Sequence, residues 1–388
     1  MAKRNVEKND NAKKKIGIVT YSKSNNYGAR IQAVAVYRIF KQRGYDVEII
    51  DVDYPKRYFK YVVGRMLNLS DSLSEWFLKY IITFKMMRFT RKNIEKTRHL
   101  ITKSNKKMVD FINKRGYDAV VCGSDEIWSS RTSEIAPPRI YFLPKEIKAK
   151  RFGMSPSANG NHKFTQEEKK WMKETLSGYD LIGVRDTMTY NLVDSVAGHD
   201  NMKLIFDPTL ALEFEDVPLP KVLDKKTKKK RVLFVMTRPD NHVPETIIQK
   251  LGTEEYEYYS VFSKFKGTKF LTISAEQFMC ISKGFDLVYT NFFHGTIFAM
   301  KHQANVIALD TFAKYKNKKS KVRDLVERVG FPEIFFSTVE ESFEYDKLIE
   351  TSKELMKKKH SKDYSKELER IMKYMNEYID EIEAKINC

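Results

Sequence analysis

Cysteine is scarce: three residues in a chain of 388, at Cys122, Cys280 and Cys388, with no paired or metal-type spacing. This excludes a disulfide scaffold and suits a reducing compartment. Long apolar runs are missing as well. The best spanning candidate, residues 76–89, is too short for a bilayer and is broken by Lys79, Lys85 and Arg88. The opening MAKRNVEKNDNAKKK has no apolar core, so a secretory signal is not expected. Walker and GxGxxG loops are absent, which disfavours dinucleotide binding, and there is no GxSxG elbow of a serine hydrolase. No His/Cys/carboxylate group has metal spacing, so neither metal nor cofactor is expected. Acidic residues are in deficit, 51 against 70 Lys+Arg, for a net charge of +19. Such a surplus calls for an anionic partner: nucleic acid, a membrane surface or a phosphorylated substrate. Without an RNP, helix-turn-helix or zinc-finger pattern, nucleic acid is not expected.

What is present is a globular composition, 42% apolar and 13% aromatic, long enough for two cores. Residues 1–13 form a basic tail. From residue 14, short apolar strands alternate with helical patterns: KKIGIVTY, a helix over 29–42, DVEIID, YDAVVC, 151–154, YDLIGV and KLIF. Such alternation predicts a parallel sheet packed by helices. Residues 55–110 break it with an aromatic, basic and helical insertion that shows no strand signal. Residues 217–230, VPLPKVLDKKTKKK, read as a linker. The alternation then restarts over 231–335, with 305–309 as its last strand, and residues 336–388 are charged and helical. The expected fold is α/β: two Rossmann-like domains, 14–216 and 231–335, facing a cleft, with the C-terminal helices packing back on the first.

In open parallel sheets ligands bind outside the carboxyl ends of the strands, so polar residues there are the candidates. In residues 286–296, DLVYTNFFHGT, an apolar run delivers Asn291, His294, Gly295 and Thr296 to a helix start. Glycine lets a backbone come close to a ligand, and a helix N-terminus favours an anion. In YSKSNNYGARIQ, the turn Asn25, Asn26, Tyr27 and Gly28 either cradles a phosphate or sugar or simply caps a helix. In VCGSDEIW, Ser124 and Asp125 end another strand. Asp125 is a helix cap or a base, and Trp128 a core residue or a sugar-stacking platform. In DLIGVRD, Arg185 offers a bidentate fork to carboxylate or phosphate, or pairs with Asp186 or Asp207. FDPT reads mainly as a turn.

Residues 56–107 hold fourteen Lys/Arg against three acids, interleaved with Tyr58, Phe59, Tyr61, Trp76, Phe77, Tyr80, Phe84 and Phe89. Two readings stay open: an insertion with solvated charges, or a surface attracted to anionic lipid by about 1 kcal/mol per basic residue. The expected location is cytoplasmic, with peripheral attachment at the inner face of the cell membrane under the second reading.

Taken in order, IGIVTYSKSNNYGARIQA, YDAVVCGSDEIW, YDLIGVRD, FDPTLAL, DLVYTNFFHGTIFAMKHQANVIAL and SKVRDLVERVG resemble the polysaccharide pyruvyl transferase family. The resemblance runs from about residue 14 to 330. It departs at Phe292-Phe293-His294, where some relatives carry an arginine two residues before the histidine. It implies a fold similar to GT-B glycosyltransferases, phosphoenolpyruvate as co-substrate, and a cyclic pyruvate ketal formed on two hydroxyls of a sugar, lipid-linked or otherwise carried. It would put Arg185 on the donor carboxylate or phosphate and His294 at the reacting centre. With that chemistry, Asp125 is a candidate base, and Lys314, Lys321 and Arg323 candidates to neutralise the donor. Replacing His294 or Arg185 by alanine is expected to spare folding and abolish transfer. The alternatives are a sugar-nucleotide glycosyltransferase and a non-catalytic binder of anionic sugars.

Overall fold

A computed structural model describes residues 13–24, 26–59, 73–129, 139–158, 164–198, 200–213, 215, 217–237 and 242–388. The first domain is built on β1 (Lys15–Val19), β2 (Asp46–Ile49), β5 (Ala119–Cys122), β6 (Lys150–Met154), β7 (Leu181–Val184) and β8 (Met202–Leu204). These form one six-stranded sheet in the order β2-β1-β5-β6-β7-β8, every pair parallel. A small ladder of β3 (Val52–Asp53) with β4 (Leu100–Ile101) lies beside it. The second domain uses β9 (Lys230–Val235), β10 (Tyr256–Val261), β11 (Lys269–Phe270), β12 (Leu287–Thr290), β13 (Val306–Asp310) and β14 (Phe335–Ser337). Their order is β11-β10-β9-β12-β13-β14, again parallel throughout. Both orders reverse once, between β1 and β5 and between β9 and β12, and such reversals open the crevices that hold ligands.

Six helices position the site: α1 (Tyr27–Gln42), α2 (Leu73–Asn93), α3 (Thr187–Ala197), α4 (Phe293–Lys301), α5 (Lys321–Val329) and α6 (Ser365–Asn387). α1 starts because the Asn26 side chain accepts from the Gly28 and Ala29 amides, at 2.8 and 3.4 Å. It is buried almost all round, from Tyr27 to Phe40, because it lies between the first sheet, α2 and the second domain. α6 is amphipathic, and Ile371, Met375, Tyr378, Ile379, Ile382 and Ile386 make its buried stripe. That stripe returns to the first domain, where the Tyr378 hydroxyl donates to the Gly153 carbonyl at 2.5 Å. Fully burying a side chain of this kind stabilises by about 1.5–3 kcal/mol.

Three sequence expectations change. Residues 55–110 do contain a strand, β4, too short to show a pattern. The strand at 305–309 is not the last, since β14 adds an edge whose residues are only half buried. α4 begins at Phe293, so His294, Gly295 and Thr296 lie in its first turn rather than before it.

Candidate functional site

The loops at the two reversals meet. α4 follows β12, and α1 follows β1, and the His294 imidazole lies so close to Gly28 that a Cβ built there would stand 2.1 Å from Nδ1. Only glycine permits this contact between the domains. Tyr27 reinforces it by donating its hydroxyl to the Ile273 carbonyl of the second domain at 2.7 Å.

Beneath the histidine lies Asp207, fully buried at the end of the segment after β8. Its Oδ1 caps a short turn, accepting from the Thr209 amide at 3.0 Å and the Thr209 hydroxyl at 2.6 Å. Its Oδ2 collects three groups: Arg185 Nη1 at 3.2 Å, the Gln32 amide, and His294 Nε2 at 3.7 Å. The last distance is a charge contact, too long for a hydrogen bond. Burial alone would push the Asp207 carboxyl up, but His294, Arg185 and Thr209 outweigh it and hold it well below the usual carboxylate range. Burial likewise pulls on the Arg185 guanidinium, and Asp207, Asp125, Asp186 and Glu126 more than restore it. The pair is therefore a fixed anion beside a fixed cation.

Around this pair several buried polar atoms have no hydrogen-bond partner among the described residues: Arg185 Nε and Nη2, His294 Nε2 and Gln32 Oε1. Unsatisfied groups in a folded core are costly, about 1–3 kcal/mol each, and a ligand or ordered water seated among these would relieve that cost. The Nε–Nη2 edge of an arginine is the one that grips a planar carboxylate or a phosphate. The guanidinium is held against the Phe293 ring, 4.7 Å from its centroid. Arg328 of α5 fixes the Arg185 backbone by donating to its carbonyl at 2.7 Å.

Asp125 sits at the end of β5 with a positive φ of 93°, an uncommon backbone for a residue with a side chain. It is half buried, and its Oδ1 accepts from the Glu126 amide at 2.8 Å. Burial, with Glu126 adding, raises its pKa above the ordinary value against the pull of Arg185 and Lys321. Lys321, at the start of α5, pairs with Glu126 across the cleft. α3 and α5 are also bonded, the Thr187 hydroxyl donating to Asp324 at 2.6 Å.

Other candidates have structural employment. Trp128 is fully buried, stacked on Phe142, and donates its indole N–H to the Tyr141 carbonyl at 3.0 Å. It offers no face to a sugar, so the stacking-platform reading is corrected to core packing. Ser124 is also fully buried, bonded to Gln32 at 2.9 Å and to the Ser155 carbonyl at 3.1 Å, and so props the floor instead of facing an acceptor. Tyr27, buried at the domain contact, does likewise. Gly295 lets α4 pack on its own sheet, since a Cβ there would meet Thr290 Oγ1 at 2.4 Å, and close approach to a ligand is not its role. Thr296 is buried and bonded within α4. Asn291 clamps neighbouring strand ends through Thr237 at 2.9 Å and Thr311 at 2.8 Å. Arg323 pairs with Glu327 at 2.8 Å, and Lys314 lies exposed on a turn after β13. Asn25 lies outside the described residues, and Asn26 is used as the cap of α1. Asp207 and Gln32 were missed as site residues. The signals were slight: an Asp before Pro208, and a glutamine one helical turn after Gly28 on an apolar helix. Among the described residues no group of three His, Cys, Asp or Glu could hold a metal ion.

Two parallel-sheet domains with their crevices apposed make this a fold of the GT-B type. Solved structures bear this out. The S. aureus MnaA–UDP co-structure aligns with TM-score 0.53 at 11% identity, covering 95% of this chain and 97% of that one. A UDP-N-acetylglucosamine 2-epimerase from Rickettsia bellii aligns with TM-score 0.51 at 10% identity, covering 97% of each. At these identities the likeness is one of fold. No curated protein matches the chain by sequence. The family model described as Polysaccharide pyruvyl transferase matches residues 26–311. The chain belongs to the polysaccharide pyruvyl transferase family.

Proposed function

We propose that the cleft transfers the pyruvate unit of phosphoenolpyruvate to two hydroxyls of a sugar, forming a cyclic ketal, in the biosynthesis of a bacterial capsule, exopolysaccharide or cell-wall glycan on the cytoplasmic side of the membrane. The carrying observation is the partnerless Arg185 edge beside His294 Nε2, both anchored on Asp207. That arrangement suits a small trianion holding a carboxylate and a phosphate side by side.

Arg185 grips the donor carboxylate or phosphate, and Lys321, Arg323 and Lys314 supply further positive charge. His294, lying 3.7 Å from Asp207, delivers a proton to the methylene carbon and leaves an oxocarbenium-like centre. A sugar hydroxyl bonds to that carbon and loses its proton to Asp125. The C–O bond to phosphate breaks, phosphate departs with the proton taken up by Asp125, and the second hydroxyl closes the ring as its proton returns to His294, so the acceptor gains a pyruvate less one water. General acid–base help of this kind typically contributes 10²–10⁴-fold.

The test is mass spectrometry of candidate sugars incubated with phosphoenolpyruvate, with phosphate release followed in parallel. The expected product carries the ketal mass and releases one phosphate per ketal. Nucleotide release from a sugar nucleotide, with no ketal, would replace this reading by a glycosyl transfer.

A further inference from the structure

α2 carries two features that the transfer chemistry does not use. Phe77, Tyr80 and Phe84 stand on it at positions i, i+3 and i+7, 60%, 51% and 58% exposed. At 100° per residue they form one stripe, and the next exposed residues along the helix are Arg88, Arg91 and Lys92. Phe59, at the end of the turn that follows β3, is also 60% exposed. Opposite the stripe, Met86 and Phe89 are anchored in the core of the first domain. The helix is therefore held firmly on one side while it presents three aromatic rings to solvent on the other.

The second feature is a cavity of about 470 Å³ beside the basic end of α2, lined by Lys23, Arg30, Tyr58, Arg91 and Lys96 with Asp51 as the acid. Asp51 is already paired with Lys23 at 2.8 Å. Arg30 is fixed as part of the wall by the Ser24 carbonyl at 2.6 Å and Thr90 at 2.8 Å. Lys96 donates to Ser22 at 3.1 Å. Burial first, and then the crowd of Lys23, Arg30 and Arg91 against one acid, bring the Lys96 ammonium down to about 8. The cavity thus concentrates more cations than its own residues neutralise. Arg91 belongs to both features, so stripe and cavity form one surface.

Exposed aromatic rings in line with basic residues match a bilayer boundary, where rings sit at headgroup level and cations meet anionic lipid. We propose that α2 docks on an anionic bilayer, its aromatic stripe at the headgroup level and a lipid headgroup phosphate in the basic cavity. Charge complementarity selects this occupant over a neutral protein face: across residues 77–98 the sequence holds seven Lys/Arg and one acid, Glu95. The cavity wall includes Lys23, from the same loop that leads to Asn26 and Gly28, so docking would set the mouth of the first crevice at the membrane. The proposal does not depend on the transfer reaction, and its test does not measure turnover.

The full chain is sedimented with vesicles of phosphatidylcholine and with vesicles containing phosphatidylglycerol. Selective, salt-sensitive binding to the anionic vesicles is expected, with at least a tenfold loss in a Phe77→Ser/Phe84→Ser variant and in an Arg88→Glu/Arg91→Glu variant. Unchanged melting temperatures would show that both variants fold. Equal vesicle binding by the folded stripe variant and the parent chain overturns the proposal. So does soluble glycerol phosphate displacing the protein at concentrations where it equals the lipid phosphate, which would make the cavity a site for free anions. A stripe that mediates self-association, abolished by the serine pair without any lipid binding, overturns it as well.

Discussion

The crevice of the first sheet is finished with buried, fixed charge: Arg185 after β7 and Asp207 after β8, each at most 1% exposed in its side chain. The crevice of the second contributes one imidazole from α4, and Lys321 of α5 pairs with Glu126 of the first domain. The anion that His294 faces is therefore supplied by the opposite domain. One side holds the fixed charge and the other brings the imidazole, and Gly28 is where they touch. The comparison teaches that neither crevice holds the cluster alone, because the imidazole reaches Arg185, Gln32 and Asp207 only when the two are apposed.

Arg185→Ala breaks the stored charge and carries the largest expected effect. It strands Asp207 without its guanidinium, so denaturant titration should show a loss of about 3–5 kcal/mol, the range for an orphaned buried ion. The expectation from sequence that this variant folds normally is thereby revised. Arg185→Lys retains the charge but not the planar fork, and should recover much of the stability and little of the turnover. His294→Ala also takes a partner from Asp207 and so should cost some stability, less than Arg185→Ala, and lower ketal formation at least a hundredfold, within the usual span of acid–base catalysis. Near-normal turnover in that variant would remove the imidazole from the mechanism. Gly28→Ala tests the contact itself: its methyl would displace the ring, and kcat should fall roughly ten- to a hundredfold while donor binding persists.

The smallest effects are in the pH dependence of stability, where two buried carboxylates oppose each other. Asp207 is held low, so its stabilisation is complete above about pH 4 and is lost only as acid carries the solution through its depressed pKa. Asp310, at the end of β13, is raised by burial to about 6, against the pull of Ser320 and Arg323. Between about pH 4 and 6 the folded state therefore holds the extra proton, and stability should decline as pH rises across that window. Thermal unfolding of Asp310→Asn should lack this decline, and an unchanged slope would assign it to other groups.

The alternation of buried parallel strands with helices was legible because such strands read as apolar runs, and a polar residue at their ends stands out. That is how His294 and Arg185 could be singled out. β4 and β14 escaped because two or three residues carry no period. Asp207 and Gln32 escaped for another reason. Each obeys a local rule, a turn cap and a helix position, and becomes a site residue only through partners on other elements, such as the Gln32–Asp207 contact that spans 175 residues of chain. Trp128 shows the converse: a strand-end aromatic looks like a sugar platform until the sheet closes over it.

The helix α6 has a temporal meaning. Its stripe covers a face of the first sheet, yet it is translated after every strand of both sheets. The second domain can close its core on the ribosome while the first, begun earlier, still lacks part of its cover. A chain arrested between Met356 and α6 would own Arg185, Asp207 and His294 and both sheets, and still be unfinished at the domain that holds most of that cluster. The domain that supplies Arg185 and Asp207 is thus begun first and completed last.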